Sequence, residues 1–110
     1  MANKYLRKYL SPSAATETTL YTVPAANLAI ISSLRVTNTD SSTTSLTVKV
    51  YPSGGVTGYN LLKTYVLPPS ATMDIFSGVS CVLDATDVLK VTSTQANVHF
   101  YLSYLEVDRT

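Results

Sequence analysis

Charge is scarce in this chain. Asp, Glu, Lys and Arg make up 14% of its 110 residues, and the formal net charge is +1. Ordinary soluble domains carry roughly 25% charged residues. So near-neutral a chain has no broad field to steer nucleic acid or an anionic membrane. There is one cysteine, Cys81, so no internal disulfide staples the fold and no oxidising compartment is implied. There is one histidine, His99, and no tryptophan. No apolar run approaches the roughly 18 residues that a membrane-spanning helix needs. The opening MANKYLRKYLSPS lacks the continuous apolar stretch of a secretory signal. The expectation is a chain made and kept in the cytoplasm, or carried out of it in an assembly. Metal-type Cys/His spacing, GxSxG, GxGxxG and the P-loop pattern are all missing.

What the chain does have is β-type sequence. LYTVP, NLAIISSLRVTNT, SLTVKVYP, YNLLKTYVLPP, ATMDIFSG, VSCVLD, DVLKVTST and NVHFYLSYLEV follow one another, each closed by Pro, Gly, Asn or Asp. That spacing predicts one all-β domain, an antiparallel β-sandwich of about eight strands in two sheets. Between Leu28 and Thr37 the alternation places Leu28, Ile30, Ser32, Leu34 and Val36 on the core face, and Ala29, Ile31, Ser33 and Arg35 on the other. Asn38 to Ser42 reads as a hairpin connection, after which Leu46, Val48 and Val50 face in while Thr47, Lys49 and Tyr51 face out. Pro52 to Gly58 holds three of the four glycines and is read as a loop. Ala71, Met73 and Ile75 alternate in a strand ended by Ser77-Gly78, and Val79, Cys81 and Leu83 in the next. In the last strand Val98, Phe100, Leu102 and Tyr104 line one side, which puts His99 on the other.

Residues 1–15 differ from this body and are read as an N-terminal arm, with the sandwich occupying 16–110. Lys4, Arg7 and Lys8 lie among Tyr5, Leu6, Tyr9 and Leu10. Read as a helix, the four apolar residues share a face, and Ser11-Pro12-Ser13 ends it. A helix that short is marginal in water, so the arm is expected to gain order by docking. Lys4, Tyr5, Leu6, Arg7, Lys8, Tyr9 and Leu10 are therefore the candidate partner-binding residues.

Catalysis finds little to stand on. A general base needs an orienting partner and a nucleophile, and no motif supplies either for His99. Cys81 lies between Val79 and Leu83 in the position of a small buried hydrophobe, without a basic neighbour to lower its pKa. Asp84 and Asp87 frame a turn, where Asp ordinarily accepts backbone N–H groups, and a calcium loop needs more oxygen ligands at closer spacing. The chain is read as a non-enzyme with no catalytic, cofactor-binding or metal site. Eight tyrosines are the remaining signal. Stacking on single-stranded nucleic acid needs more interleaved Lys and Arg than Lys49 and Lys63 provide. A carbohydrate platform or a subunit contact suits the rings better, and subunit contact is the simpler account.

Two stretches resemble small virion proteins of tailed bacteriophages. The first is Leu20-Tyr21-Thr22-Val23-Pro24-Ala25 running into Ala29-Ile30-Ile31-Ser32-Ser33-Leu34-Arg35-Val36-Thr37-Asn38. The second runs from Gly78 to Val107, with Leu83-Asp84-Ala85-Thr86-Asp87-Val88-Leu89-Lys90-Val91 and Ala96-Asn97-Val98-His99-Phe100. The resemblance implies a jelly-roll-like form of the sandwich, a virion location with assembly in the host cytoplasm, and a capsid decoration (cement) role. It implies the major capsid protein or another virion protein as partner; the sparse, balanced charge and the lack of an apolar span imply neither nucleic acid nor membrane. A tail, neck or head-fibre component, or a receptor- or glycan-binding module, is the alternative.

High apolar content with few charges also implies self-association, a trimer in preference to a dimer. Ile31, Leu61, Leu105 and the outward tyrosines are the residues expected to carry it.

Overall fold

The computed structural model describes residues 3–76 and 80–108. Their strands are β1 (Asn3–Leu10), β2 (Thr18–Thr22), β3 (Asn27–Asn38), β4 (Thr44–Tyr51), β5 (Tyr59–Leu67), β6 (Thr72–Asp74), β7 (Cys81–Leu83), β8 (Val88–Ser93) and β9 (Val98–Asp108). The first sheet has the order β1-β9-β3-β6, with β7 also on β3; the second has the order β2-β8-β4-β5. All pairings are antiparallel. β6 and β7 pair with successive parts of the same edge of β3, so together they act as one interrupted strand. With that merger the architecture is a jelly roll, an eight-strand double sheet. Ser77, Gly78 and Val79, read from the sequence as a strand end and the start of the next, lie outside the described residues.

The core follows from side-chain alternation. Leu34, Val36, Phe100 and Leu102 from the first sheet meet Leu46, Val48, Leu89 and Val91 from the second, all fully buried. Each such side chain contributes about 1.5–3 kcal/mol on leaving water, before the entropy of ordering is subtracted. The expected inward set of β4 and the inward set of β9 are as the alternation predicts. β3 departs from it. Its pairing with β9 steps from Ile31↔Tyr104 to Ser33↔Ser103, leaving Ser32 as a bulge. The bulge switches faces, so Ala29 and Ile31 point into the core ahead of it and Leu34 and Val36 after it. Ile30 and Leu28 are thereby turned outward. Ile31, expected on an association face, is core.

Another correction concerns the connection after β3. Residues 39–43 do not close a hairpin, because β3 and β4 belong to different sheets. Asn38 explains the crossing. Fully buried, its side-chain amide donates to the carbonyls of Ser42, Leu67 and Pro68, and its Oδ1 accepts the Asp40 N–H. Its backbone N–H donates to Ala71 O and its carbonyl accepts the Ser70 N–H. One residue thus fastens the β3–β4 and β5–β6 crossings together. The hairpin in this region is β4–β5, turned through Pro52–Gly54. There Gly58 lies under Tyr51, where an added Cβ would come within 2.8 Å of the ring. The Tyr51 hydroxyl donates to Glu17, and Lys90 Nζ lies 4.6 Å from the ring centre.

Residues 3–10, read as a helical arm, form a strand. β1 pairs with β9 in an unbroken register from Asn3↔Val107 to Leu10↔Phe100. The apolar pairs suit either period; a free edge on β9 decides for the strand. The boundary drawn after residue 15 falls in the connection from β1 to β2.

Asn38→Leu keeps the volume but strands the carbonyls of Leu67 and Pro68 inside the protein. The expected loss is about 2–4 kcal/mol in urea unfolding. A loss below about 1 kcal/mol would show that the amide does not hold the corner.

Candidate functional site

The candidate residues Lys4 to Leu10 alternate across β1. Tyr5, Arg7 and Tyr9 lie on the outer face of the first sheet beside Leu105, Ser103 and Tyr101, while Lys4, Leu6, Lys8 and Leu10 lie on the inner side beside Glu106, Tyr104, Leu102 and Phe100. All but Leu10 are exposed, Tyr5 at 84% and Tyr9 at 64%. The inner-side residues stay accessible because β1 lies at the sheet edge, where little covers it. Tyr9 and Tyr101 stack with ring centres 5.9 Å apart, and the Arg7 guanidinium lies 5.7 Å from the Tyr9 ring centre.

Register extends these positions into rows across the outer face. Tyr5, Leu105, Ile30 and Val82 form an apolar row. Tyr9, Tyr101, Arg35 and Asp74 form a mixed one, followed by His99, Thr37 and Thr72. An open depression of about 760 Å³ surrounds β1, bounded by Tyr5, Arg7, Tyr9 and Tyr101 on one side and Leu6, Lys8, Leu10 and Leu20 on the other. A second, of about 500 Å³, lies against Tyr9, Leu10, Ser11, His99 and Tyr101. The basic groups can meet a partner's carboxylates and the rings can cover apolar surface. The arrangement is thus an exposed strip of rings and cations along β1 and β9.

The other candidates are placed as follows. His99 is exposed on the outer face. Cys81 is half-buried opposite Ile31, and burial raises its thiol pKa, which lowers its nucleophilic fraction at neutral pH. Asp84 and Asp87 serve the turn: Asp87 accepts the N–H groups of Ser53 and Asp84, and Asp84 accepts that of Ala85. No group of three His, Cys, Asp or Glu side chains suited to a metal occurs among the described residues. Leu61 and Leu105 reach the surface as expected; Tyr104 is core, as the inward side of β9 requires, and so is Tyr21.

Sequence reasoning missed a polar cluster at the other end of the sandwich. Tyr21 OH donates to Glu106 Oε2 at 2.6 Å, Asn27 Nδ2 donates to Glu106 Oε1 at 3.2 Å, and the Tyr21 and Tyr104 rings lie 4.3 Å apart. The even-numbered inward run of β9, continued past Tyr104, was the available signal for Glu106. Lys8 Nζ stands 6.0 Å from the Tyr21 ring centre, which links β1 to this cluster. Burial, then the Glu106 hydrogen bond, pushes the Tyr21 hydroxyl far above its ordinary value of 10.0. Tyr104 is raised by burial and then by the Glu106 charge.

No known protein family's sequence model matches the chain. No curated protein matches it either. Solved structures share its fold. A chain of the Bacillus endospore appendages, described as a novel family of disulfide-linked pili, superposes with a TM-score of 0.62 at 15% identity, covering 99% of this chain and 88% of that one. A chain of the T13 IBDV viral particle superposes with a TM-score of 0.60 at 10% identity, covering 96% of this chain and 31% of that one. A pentameric capsid protein isolated from metagenomic phage sequences aligns with a TM-score of 0.48 at 17% identity, covering 96% of this chain and 62% of that one. At these identities the likeness is one of fold: an all-β sandwich found both in an appendage subunit and in part of a viral particle chain.

Because the folded state holds the Tyr21 and Tyr104 protons more tightly than the unfolded chain, their contribution is intact below pH 10.0 and is lost as pH rises beyond it. Tyr21→Phe should cost about 1.5–3 kcal/mol at pH 7, the range for a hydrogen bond to a charged group. It should also flatten the alkaline fall in stability. Urea unfolding curves from neutral to strongly alkaline pH read both, and an unchanged alkaline slope would remove Tyr21 as its source.

Proposed function

We propose that this chain is a non-enzymatic structural protein of a phage virion, a capsid decoration protein that binds the assembled head and stabilises it. The observation that carries the reading is the strip of exposed aromatic and basic side chains along β1 and β9, displayed on a jelly roll. The LYTVPA, AIISSLRVTN, DVLKV and ANVHF segments support it, since they resemble virion proteins of tailed phages. The fold shared with a chain of the IBDV particle is compatible with it. Lys4, Arg7 and Lys8 meet carboxylates on the major capsid protein or another virion protein, and Tyr5 and Tyr9 fill shallow pockets there. Many such modest contacts add through multivalency on a repeating shell. Self-association, as a trimer or failing that a dimer, matches the local symmetry of such a shell.

The second reading is a subunit of a fibre or appendage, on the virion's head, neck or tail. The near-complete mutual coverage with the Bacillus endospore appendage chain favours it. These 110 residues supply a single thiol, which can link a subunit to one neighbour only. A fibre of this chain would therefore be held together without a continuous disulfide chain.

Copy number in purified particles separates the two: parity with the shell protein marks decoration, a small fraction of it marks a fibre. In the decoration reading, the double variant Tyr5→Ser, Tyr9→Ser should unfold within about 1 kcal/mol of the parent, because both side chains are mostly exposed. Its attachment in particle co-sedimentation should weaken at least about tenfold, as for loss of an aromatic anchor. Unchanged attachment would remove the strip as the contact.

A further inference from the structure

β1 is attached to the body mainly through backbone. Among Lys4 to Leu10 the side chain packed against the core is Leu10, itself half-buried, whereas the neighbouring β9 fully or nearly buries Val98, Phe100, Leu102 and Tyr104. Its contacts are chiefly with β9, with some to β2. What holds it is the ladder from Asn3↔Val107 to Leu10↔Phe100, the Tyr9–Tyr101 stack and, just beyond, a hydrogen bond from Ser11 Oγ to Ala96 O. None of these depends on which copy of the chain supplies the strand.

The connection behind β1 is under strain. Thr16 N–H donates to Ser13 O, closing a turn whose third residue, Ala15, has φ 56°. That position favours glycine or asparagine, because a Cβ there crowds the following carbonyl. Ala15 is held by its own N–H donating to Ser93 O at 2.7 Å. Pro12, three residues earlier and buried, disfavours a helical turn at Ser11 and stiffens the segment against folding back. Straightening residues 11–17 releases the Ala15 strain. A short strained hinge beside an edge strand is the circumstance that favours exchange of that strand between copies.

We propose that β1 is exchanged between copies of this chain, each β1 lying on a second copy's β9 in the same register and the hinge running straight between them. The docking surface is the edge of β9 with Tyr101, and its occupant is Tyr5 to Leu10 of the second copy. The proposal rests on β1 as the association segment, but it concerns copies of this chain and can fail without affecting attachment to particles, which is read separately.

The test uses two populations of the full chain, both carrying Cys81→Ser. One has Arg7→Cys and the other Ser103→Cys, positions directly opposite in the β1–β9 register. The two are mixed in denaturant, refolded together and oxidised. A double variant with both substitutions in one chain checks that the pair can close. If it cannot, Tyr9→Cys and Tyr101→Cys, the next pair on the same face, replace them. Exchange predicts a disulfide-linked species joining one Arg7→Cys chain to one Ser103→Cys chain, with a lower yield when Ala15→Gly relaxes the closed hinge. Closure within the double variant at high dilution, with no mixed species at any concentration, would overturn the proposal. An unchanged yield with Ala15→Gly would overturn the hinge as its cause.

Discussion

The fold turns on one buried amide. Two sheets stacked face to face, joined by segments that cross from one to the other, need those crossings fixed. Otherwise the sheets can slide and the bulged register of β3 is not enforced. Asn38 does this at one end of the sandwich, with every polar atom of its side chain and backbone engaged. Asparagine is required because the site asks for donors and an acceptor at once: carbonyls of three residues converge on Nδ2, and an N–H points at Oδ1. Aspartate would bring acceptors to acceptors and an uncompensated charge to a dry site. A hydrophobe would leave the carbonyls stranded.

The opposite end is fixed in the same manner by different chemistry. Tyr21 from β2 and Asn27 from β3 both donate to Glu106 on β9, binding strands of the two sheets to one carboxylate. Nearby, Val23 and residues 86 and 87 exchange backbone hydrogen bonds, joining the β2–β3 and β7–β8 crossings. Between these two polar ends lies the apolar layer of Phe100, Leu34, Leu102, Leu46 and Leu89. Buried polar groups in this protein are thus spent on holding crossings. Glu106, the carboxylate facing inward on β9, is already committed to two donors. The candidate site lies apart from this cluster, in the exposed rings and cations of β1.

How far the sequence revealed this differs element by element. Leu46, Val48 and Val50, and Val98 through Tyr104, read correctly because their strands are regular and each buries one face. Leu28 through Ser33 did not, because a bulge at Ser32 inverts the alternation and a doubled serine carries no mark of which residue is extra. Tyr5, Leu6, Tyr9 and Leu10 satisfied a helical period, yet the same residues read Tyr-Arg-Tyr on one face and Leu-Lys-Leu on the other when taken as a strand. The vacant edge of β9 chooses, and that edge is set by residues a hundred positions away in sequence order. Asn38 looked like a turn residue. Its role depends on carbonyls from Leu67 and Pro68, which no local pattern brings near. The phage resemblance fell on LYTVPA and DVLKV, segments that build the core and its turns, so it pointed to the fold while the exposed strip on β1 lay outside it.

The edges of the two sheets are unequal in a way that bears on association. A regular exposed edge invites pairing, and natural proteins blunt such edges with bulges, charges or short strands. β6 and β7 are three residues each, split along one edge of β3. β2 carries a register shift at Leu20, and β5 carries two, with Thr64 at φ 52° and Lys63 beside it. Each of these edges is broken. β1 alone among the described edge strands keeps an uninterrupted eight-residue register with its neighbour. Its blunting is chemical instead, in Lys4, Arg7 and Lys8, which repel a like strand but can pair with acidic surface. An unbroken ladder lets a strand move as one unit with little disturbance of the core, which β1 touches through the half-buried Leu10. Regular pairing, basic side chains and exposed tyrosines therefore coincide on one edge strand, which meets the core through Leu10 and is otherwise held by its ladder to β9.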